Sequence, residues 1–449
     1  MRVDGLTWPQ EIVDLAIDHL GKPYPLVFGH PGQVDTAINA AGWITGTEAR
    51  WAIHDPVDQG GGGGTTLWSG LVLVIAGHHV SAERVYINTA ENTAGDRVRV
   101  YNGYDAQGNA VAFVPWYYSR SGTSEAYDYD VSATYTWADL ADFDGNPTYG
   151  IGNSAIANPY ITSTQQQVWV GWRDDEDTTR GGAMINGRLV REAGDLLQWF
   201  LAFSTIPVDQ GRFASARRLL SHFKCDGIVN ERISPWNYLK EWVLPLLPVS
   251  LRNGPQGTYP IVWRYDATHR DAVAHINADA DVRIERAARL RMDSDNIFND
   301  FELKYAYSRR TDSYAGRVRL GNYAQAAQEG ADTMLPSLIC KRSQERFRLP
   351  DGRLFVSSRS FDTRMVYDRA TAIAICEWWA AHFALPWVTV PYILPEAEFM
   401  HLEPGSVVML TDSKLGMYQR IALVQKVQTD SSGALCAYLR LTENPSRDG

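Results

Sequence analysis

Four consecutive carboxylates at residues 174–177 form the longest run of acids in the sequence. Glycoside hydrolysis uses two carboxyl groups held at a set separation across a cleft. Asp174, Asp175 and Glu176 are therefore candidates for the acid and base of a wall-degrading hydrolase. Adjacent acids in a polar stretch are also typical of a solvated loop, and we favour that interpretation. The hydrolase is kept as an alternative hypothesis.

Histidine and cysteine patterns do not indicate a metal site. His78 and His79 are adjacent, so in a strand their side chains would point to opposite faces. The cysteines lie far apart and form no CxxC pair. We therefore expect neither a disulfide nor a zinc framework, and reduced folding in the cytosol is the default expectation. The cysteines are Cys225, Cys340, Cys376 and Cys436.

Acid-rich turns in the middle of the chain have part of the composition of a calcium-binding loop. Such loops need oxygen ligands at positions 1, 3 and 5, a glycine at position 6 and a glutamate at position 12. Counted from Asp293, position 5 is Ile297 and position 6 is Phe298, so the pattern fails. We predict solvated turns without metal. The residues concerned are Asp279, Asp281, Asp293, Asp295, Asn299 and Asp300.

Motifs for nucleophilic catalysis and for phosphate binding are missing from the sequence. There is no GxSxG. The glycines at residues 60–64 are not followed by the Lys-Ser/Thr of a phosphate loop. The sequence therefore predicts no catalytic residue, no metal site and no cofactor, and the protein is expected not to be an enzyme.

Two aromatic groups could stack on sugar rings. Trp116 and Tyr117, in the stretch VPWYYSR, would suit a carbohydrate-binding adhesin, although strand packing or an interface is the favoured interpretation. Trp378 and Trp379, with Phe383, have helical spacing around an apolar face. We predict that these three residues belong to a core helix.

Composition indicates a β-rich protein with several domains. The chain has 449 residues, including 15 Trp and 22 Tyr, which favour strands. The formal net charge of −10 argues against a surface that coats nucleic acid. The apolar stretch at residues 372–395 contains Glu377, His382 and prolines. It therefore predicts a buried helix followed by a strand, and not a membrane span.

The first two thirds of the chain contain a β-rich part and then a more helical part. We predict a helix over residues 8–20, and Asp130, in DVSATYTWADL, begins one of several later strands. Asp195 begins a second helix, and residues 212–223 form another. Ser234 is the predicted N-cap of a helix with Pro235 at its first position.

Strongly patterned strands and helices fill the last third of the chain. Residues 299–308 alternate like a strand, a helix is predicted over residues 367–383, and a strand over residues 386–394. These changes of character divide the chain into a β-rich domain at 1–190, an α+β domain at 191–298 and an α+β or β-barrel domain at 299–449. The expected fold class is mainly β with α+β insertions.

Two turns that contain glycine and one hairpin connect the C-terminal strands. Pro404 fixes φ and Gly405 takes the turn conformation that begins a strand. The next reversal ends at Gly416, and a later hairpin turn contains Gly433. We interpret these strands as the closing wall of a small barrel.

The order of these motifs resembles a known family. The motifs are an Asn299-Asp300 strand start, a helix beginning DRATA, an L-x-PG-x-V turn and a final hairpin. This order resembles the tail-tip or baseplate-hub proteins of long-tailed bacteriophages, with relatives in gene transfer agents and contractile systems. The resemblance covers residues 224–443, and residues 1–190 more loosely.

The resemblance implies a structural role. It implies small β-barrels with α+β inserts, and three copies in a ring that closes the distal end of the tail tube. The implied partners are the distal tail protein, the tape-measure protein and tail fibres or a central spike. DNA would pass through the lumen without specific binding, and the host surface would be contacted indirectly. The implied location is the virion tail tip, assembled in the bacterial cytoplasm.

A cofactor of some members of this family is not expected in this chain. Some proteins of hub complexes hold an iron–sulfur cluster on cysteines. The four cysteines of this chain do not cluster in sequence, so no such cofactor is expected.

Overall fold

The computed structural model describes residues 26–32, 188–202, 206–229, 231–264, 266–287, 297–309, 311–322, 334–429 and 434–441 in full, together with Ile185 and the backbone of further short elements. Thirteen short strands are described before the first described helix. They are β1 (Arg2–Val3), β2 (Leu6–Thr7), β3 (Leu26–Phe28), β4 (Thr47–Glu48), β5 (Arg50–Ile53), β6 (Leu71–Ala76), β7 (Arg84–Ile87), β8 (Ala90–Glu91), β9 (Arg99–Tyr101), β10 (Ser154–Ala157), β11 (Val168–Gly171), β12 (Met184–Ile185) and β13 (Arg188–Leu189).

The rest of the chain alternates helices with longer strands. The helices are α1 (Ala193–Phe203), α2 (Gln210–Leu220), α3 (Pro235–Tyr238), α4 (Leu338–Arg346), α5 (Arg369–Phe383) and α6 (Glu396–Phe399). The strands are β14 (Gly227–Val229), β15 (Val249–Gly254), β16 (Gly257–Val262), β17 (Ala274–Asn277), β18 (Glu285–Arg286), β19 (Arg291–Asp293), β20 (Asp300–Ser308), β21 (Ser313–Gly321), β22 (Leu335–Pro336), β23 (Ser358–Asp362), β24 (Trp387–Leu394), β25 (Val407–Asp412), β26 (Met417–Thr429) and β27 (Leu435–Leu441). The fold is mainly β with α+β insertions, as the sequence predicts.

The four-stranded sheet β22-β21-β20-β23 packs one face on α5. Phe301, Leu303 and Tyr305 of β20 turn inward and are almost fully buried. Period-two alternation places Glu302 and Lys304 on the opposite face, where they pair with basic and acidic neighbours. The predicted strand at residues 299–308 is therefore confirmed.

The second large sheet is a curled half-barrel of seven strands, in the order β17-β25-β26-β27-β24-β18, with β19 also on β24. Its two end strands, β17 and β18, are consecutive in the chain and are joined by residues 278–284. Val408 and Leu410 of β25 point into its core, while Val407 joins a small cluster on the other face. The small barrel that the sequence predicts is thus an open half-barrel over this segment, because the described strands at its two ends do not pair with each other.

A large core connects distant parts of the chain. It contains Phe28 of β3, the apolar face of α1 and most of α5, so residues between 28 and 384 contribute to one cluster. In addition, β17 and β18 pair with strands of the C-terminal sheet. The boundaries at residues 190 and 298 stay predictions.

The helix predicted from Ser234 begins as expected but does not continue as one α-helix. Ser234 accepts a hydrogen bond from Asn237 N, and Pro235 is at the first position. After α3 the chain forms a π-turn (Leu239–Val243) and a 3-10 turn (Leu244–Leu246). Pro245 has no N–H to donate to a carbonyl of the preceding turn, so an α-helix cannot continue regularly through this position. The helix predicted over residues 8–20 lies outside the described residues, as does the strand DVSATYTWADL.

Candidate interaction surface

A groove of about 320 Å³ lies between α2, β16 and the turn before β25. Apolar side chains form much of its lining. They come from α2, from β16, from the residue before β17, and from the turn and first residue of β25: Leu219, Ile261, Val262, Val273, Pro404 and Val407. The groove therefore brings together parts of the chain that are nearly 200 residues apart in sequence.

The Pro404-Gly405 turn closes one side of this groove. Gly405 has φ +88°, a left-handed conformation that side chains disfavour. A Cβ at this position would be 2.5 Å from Ile261 Cγ2. The Gly405 amide donates to Val424 O at 2.7 Å, which ties the turn to β26. The backbone at Gly405 therefore lies directly against β16, and glycine fits there because it has no Cβ.

Arg212 and Glu403 bridge the groove. Arg212 Nη2 donates to Glu403 Oε1 at 2.7 Å, and Nη1 donates to Glu403 Oε2. The guanidinium also lies over the Tyr259 ring, 4.1 Å from its centroid. The hydrogen bond from Arg212 lowers the pKa of Glu403 below its ordinary value. The same pairing raises the pKa of Arg212.

Arg264 holds the acids on the other side of the groove. Its Nε donates to Asp266 Oδ1 at 2.8 Å, and its Nη1 is 3.4 Å from Asp271 Oδ1. Asp271 also accepts from the backbone N–H of Thr268 at 2.8 Å. The hydrogen bonds from Thr268 and then Arg264 lower the pKa of Asp271. These carboxylates therefore stabilise the local structure by accepting hydrogen bonds from Arg264 and Thr268.

The side chains that line the groove indicate a binding surface. Its ionisable groups are two arginines engaged with carboxylates, and its other lining is apolar or hydroxyl-bearing. An apolar groove with few oriented polar groups suits the side chains of another molecule. We therefore take it as the candidate interaction surface.

Asn299 and Asp300 organise the start of β20. Asn299 is fully buried, and its Nδ2 donates to Phe355 O at 2.9 Å and to Ser343 Oγ at 3.1 Å. Asp300 accepts from Arg319 Nε at 3.0 Å. The prediction of a solvated turn is wrong for these two residues, because both side chains are buried and form hydrogen bonds within the protein.

Asp279 and Asp281 lie in the loop between the two end strands of the half-barrel. Asp279 accepts from Ser413 Oγ at 2.8 Å, and Asp281 pairs with Arg283 at 2.7 Å. Both therefore fix local turns near the surface. Within the described ranges, no three His, Cys, Asp or Glu side chains are grouped so that they could hold a metal ion.

All four cysteines are buried as free thiols. Burial raises the pKa of Cys340 to about 12 and raises the pKa of Cys225 and Cys376 further above the ordinary value. These thiols are protonated at neutral pH and are poor nucleophiles.

Helix α5 packs its aromatic residues into the large core. Trp379 is 1% exposed and its Nε1 donates to Pro245 O at 3.1 Å. Trp378 is also buried, and Phe383 packs against the edge of the same cluster. Arg359 lies 4.4 Å from the Phe383 ring centroid.

The remaining residues singled out from sequence lie outside the described residues or lack described side chains. They are His78, His79, Trp116, Tyr117, Asp174, Asp175, Glu176, Asp177, Asp293, Asp295 and Gly433. Strands β26 and β27 that flank Gly433 do pair antiparallel, with Thr429 opposite Leu435. Among the described helices, the longest apolar one is too short to cross a bilayer.

Sequence reasoning missed Arg212, Tyr259, Ile261 and Glu403 as parts of one surface. The one local signal was the Pro-Gly turn after Glu403, which indicates a close backbone approach. Its partners are on α2 and β16, and no spacing rule connects such distant positions.

Comparison with known proteins finds only weak structural similarity. No protein-family model matches the chain, and no curated protein matches it. The 43 kDa tail protein of prophage MuSo2 from Shewanella oneidensis is 10% identical with a TM-score of 0.31, over 88% of this chain and 98% of that chain. The tail protein from Neisseria meningitidis MC58 is 10% identical with a TM-score of 0.34, over 94% of this chain and 97% of that chain. At scores this low, we base no argument on either similarity.

Proposed function

We propose that this protein is a structural, non-catalytic component of a bacteriophage tail. In this proposal it is the tail-tip hub. Three copies form a ring that closes the distal end of the tail tube, contacts the distal tail and tape-measure proteins, and anchors fibres or a spike. The ring gates the passage of DNA without binding it specifically.

The observation that supports this proposal most is the open half-barrel, in which β24 to β27 of the C-terminal part pair with β17, β18 and β19. Among the described strands, β17 and β18 end the sheet, and each has a partner on one side only. Open strand edges are usually covered by a loop or by a neighbouring chain, and closed rings of identical subunits provide such neighbours. The motif order that resembles tail-hub proteins maps onto this half-barrel and the adjoining four-stranded sheet.

Charge is consistent with DNA passing without adhesion. The chain has 52 acidic and 42 basic residues. A phosphate backbone is held by excess Lys and Arg, which this chain does not have.

The assembly state tests the proposal. The purified chain is measured by light scattering across a range of concentrations, and its position in virions is determined by antibody labelling. We expect a species of three times the 50.2 kDa chain mass and labelling at the distal end of the tail. A stable monomer at all concentrations that never enters particles would refute the hub.

A further inference from the structure

Residues 338–353, which comprise α4 and the turn that follows it, form a basic surface. This segment contains five basic and two acidic side chains, a net charge of +3, whereas the whole chain has a net charge of −10. Within the part of the chain that the structure describes, Lys341, Arg342 and Arg348 form no ion pair with a carboxylate. Their charges are therefore available to an anion outside the protein.

Helix α4 turns its basic side chains away from the protein core. Three of its side chains are fully buried and mark the inner side of the helix, namely Cys340, Ser343 and Gln344. At about 3.6 residues per turn, Arg342 lies on the opposite side, between Lys341 and Arg346. Leu338 lies one turn before Arg342 on this outer side and is 38% exposed. The outer side of α4 thus combines cations with an apolar side chain.

The turn after α4 projects into solvent. Every residue from Arg348 to Arg353 is exposed. The turn is closed by two backbone hydrogen bonds, from Leu349 N to Arg353 O and from Gly352 N to Leu349 O, each 2.9 Å long. Leu349 is 37% exposed at the tip and follows directly after Arg348. The tip therefore presents an apolar side chain between two arginines.

We propose that the basic surface docks on a lipid bilayer that contains anionic headgroups. Lys341, Arg342 and Arg348 contact the headgroup phosphates. Leu338 and Leu349 enter the boundary between the headgroups and the acyl chains, where apolar side chains leave water. This proposal goes beyond the role in the tail and does not depend on it.

The exposed leucines distinguish a bilayer from nucleic acid as the partner. Duplex DNA is held through its phosphates, and that binding does not use apolar side chains. A bilayer interface accepts both kinds of group, because cations pair with phosphates while apolar side chains are buried among the lipids. The projecting tip also suits a broad surface better than it suits an extended peptide, which binds in a groove or along a strand edge. Leu338 and Leu349 therefore favour lipid.

The acidic remainder of the chain does not cancel this attraction. At physiological salt, exposed charges interact over only about 8 Å. A bilayer that touches the tip is therefore attracted by the basic surface and is screened from distant acids. Each cation near an anionic bilayer strengthens binding about five-fold. A net charge of +3 thus predicts a preference of about a hundred-fold for anionic over neutral lipid.

Vesicle sedimentation with the full chain tests the proposal. The probe vesicles contain phosphatidylglycerol and phosphatidylcholine, and the reference vesicles contain phosphatidylcholine alone. We expect the chain to bind the anionic vesicles about a hundred-fold more tightly than the neutral vesicles. Raising salt from about 150 mM to about 500 mM should weaken the binding, because the headgroup charges are then screened over a shorter distance.

Charge variants locate the binding surface. Arg342→Gln with Arg348→Gln should weaken binding to anionic vesicles about thirty-fold, because two cations are removed. The matched control is Arg218→Gln with Arg252→Gln, which removes two exposed arginines on α2 and β15 and should bind like the wild type. Glu345→Gln removes an exposed carboxylate from α4 and should bind about five-fold more tightly. Urea unfolding of each variant checks that it is folded.

Leu349→Gln separates lipid from other polyanions. It leaves every charge in place and removes the apolar tip, so it should weaken vesicle binding at least about three-fold. The proposal fails if anionic and neutral vesicles bind equally, or if the double variant of Arg342 and Arg348 binds like its control. It also fails if Leu349→Gln binds vesicles like the wild type. That last result, together with displacement of the vesicles by duplex DNA, would assign the basic surface to nucleic acid.

Discussion

Arg212 on α2 and Glu403 before β25 are 191 residues apart in sequence, yet two hydrogen bonds join their side chains across the mouth of the groove. The Tyr259 ring supports the guanidinium from below. The pair therefore connects the helical part of the chain to the half-barrel.

This pair should contribute little to stability at neutral pH. The side chains of Arg212 and Glu403 are 41% and 44% exposed, so water screens their attraction. We expect Glu403→Gln to cost no more than about 1 kcal/mol of unfolding free energy in urea titrations. The control is Glu345→Gln, which changes an exposed carboxylate outside the ion pairs of the described residues.

The Glu403 contribution should disappear in acid. The folded-state pKa of Glu403 is lowered, so its stabilisation is present above the unfolded pKa of about 4.3 and is lost as pH falls through the folded pKa. Wild type and Glu403→Gln should therefore differ at about pH 7 and converge at about pH 2. A difference that persists in acid would contradict this assignment.

Gly405→Ala should be clearly destabilising. The substitution puts a side chain at φ +88° and a Cβ 2.5 Å from Ile261 Cγ2. We expect a loss of about 2 kcal/mol or more in urea unfolding.

Gly416→Ala is the matched control for Gly405→Ala. Gly416 has φ +66°, but a Cβ there meets nothing within 4 Å. Only the backbone cost of about 1 kcal/mol should remain. Equal losses at the two glycines would show that the contact with Ile261 does not matter.

Asn299→Ala should destabilise the four-stranded sheet by about 2–4 kcal/mol. The amide donates to Ser343 and Phe355, and its Oδ1 accepts from Ser357 N at 2.9 Å, so truncation leaves one buried and two partly buried groups without this partner. Urea unfolding measures the loss. Asn237→Ala, at an exposed position in α3, should be close to neutral, and a large effect there would undermine the comparison.

His382 should make the protein sensitive to mild acid. Burial, and then the charges of Arg440 and Arg359, lower its pKa to about 3. A histidine with a lowered pKa contributes stability above the unfolded pKa of about 6.5, and that stability is lost as pH falls toward the folded pKa.

Urea unfolding at about pH 7 and about pH 4 measures the His382 effect. The wild type should lose at most about 3 kcal/mol more than His382→Gln over this interval, because only the wild type takes up the extra proton on unfolding. Identical pH profiles for His382→Gln and the wild type would count against a buried neutral imidazole.

Local patterns predicted many elements because their causes are local. The Ser234 cap, the alternation in β20 and the reversal at Gly416 depend on backbone geometry and on side chains within a few residues. The change from α3 to a π-turn was missed, since the packing of Leu239 and Val243 into the core and the position of Pro245 act together.

By itself, the sequence determined the fold class, the strand that became β20, the helix that became α5, the strand that became β24, and the turn at Pro404 and Gly405. Periodicity and turn chemistry act over a few residues, so they can be read without coordinates. Only the tertiary structure decided that the C-terminal strands form an open half-barrel and that Asn299 is internal. It also decided that Arg212 meets Glu403 beside Ile261. Those contacts form between residues that are far apart in sequence. They depend on how apolar surfaces from the whole chain pack together, and no local pattern specifies that packing.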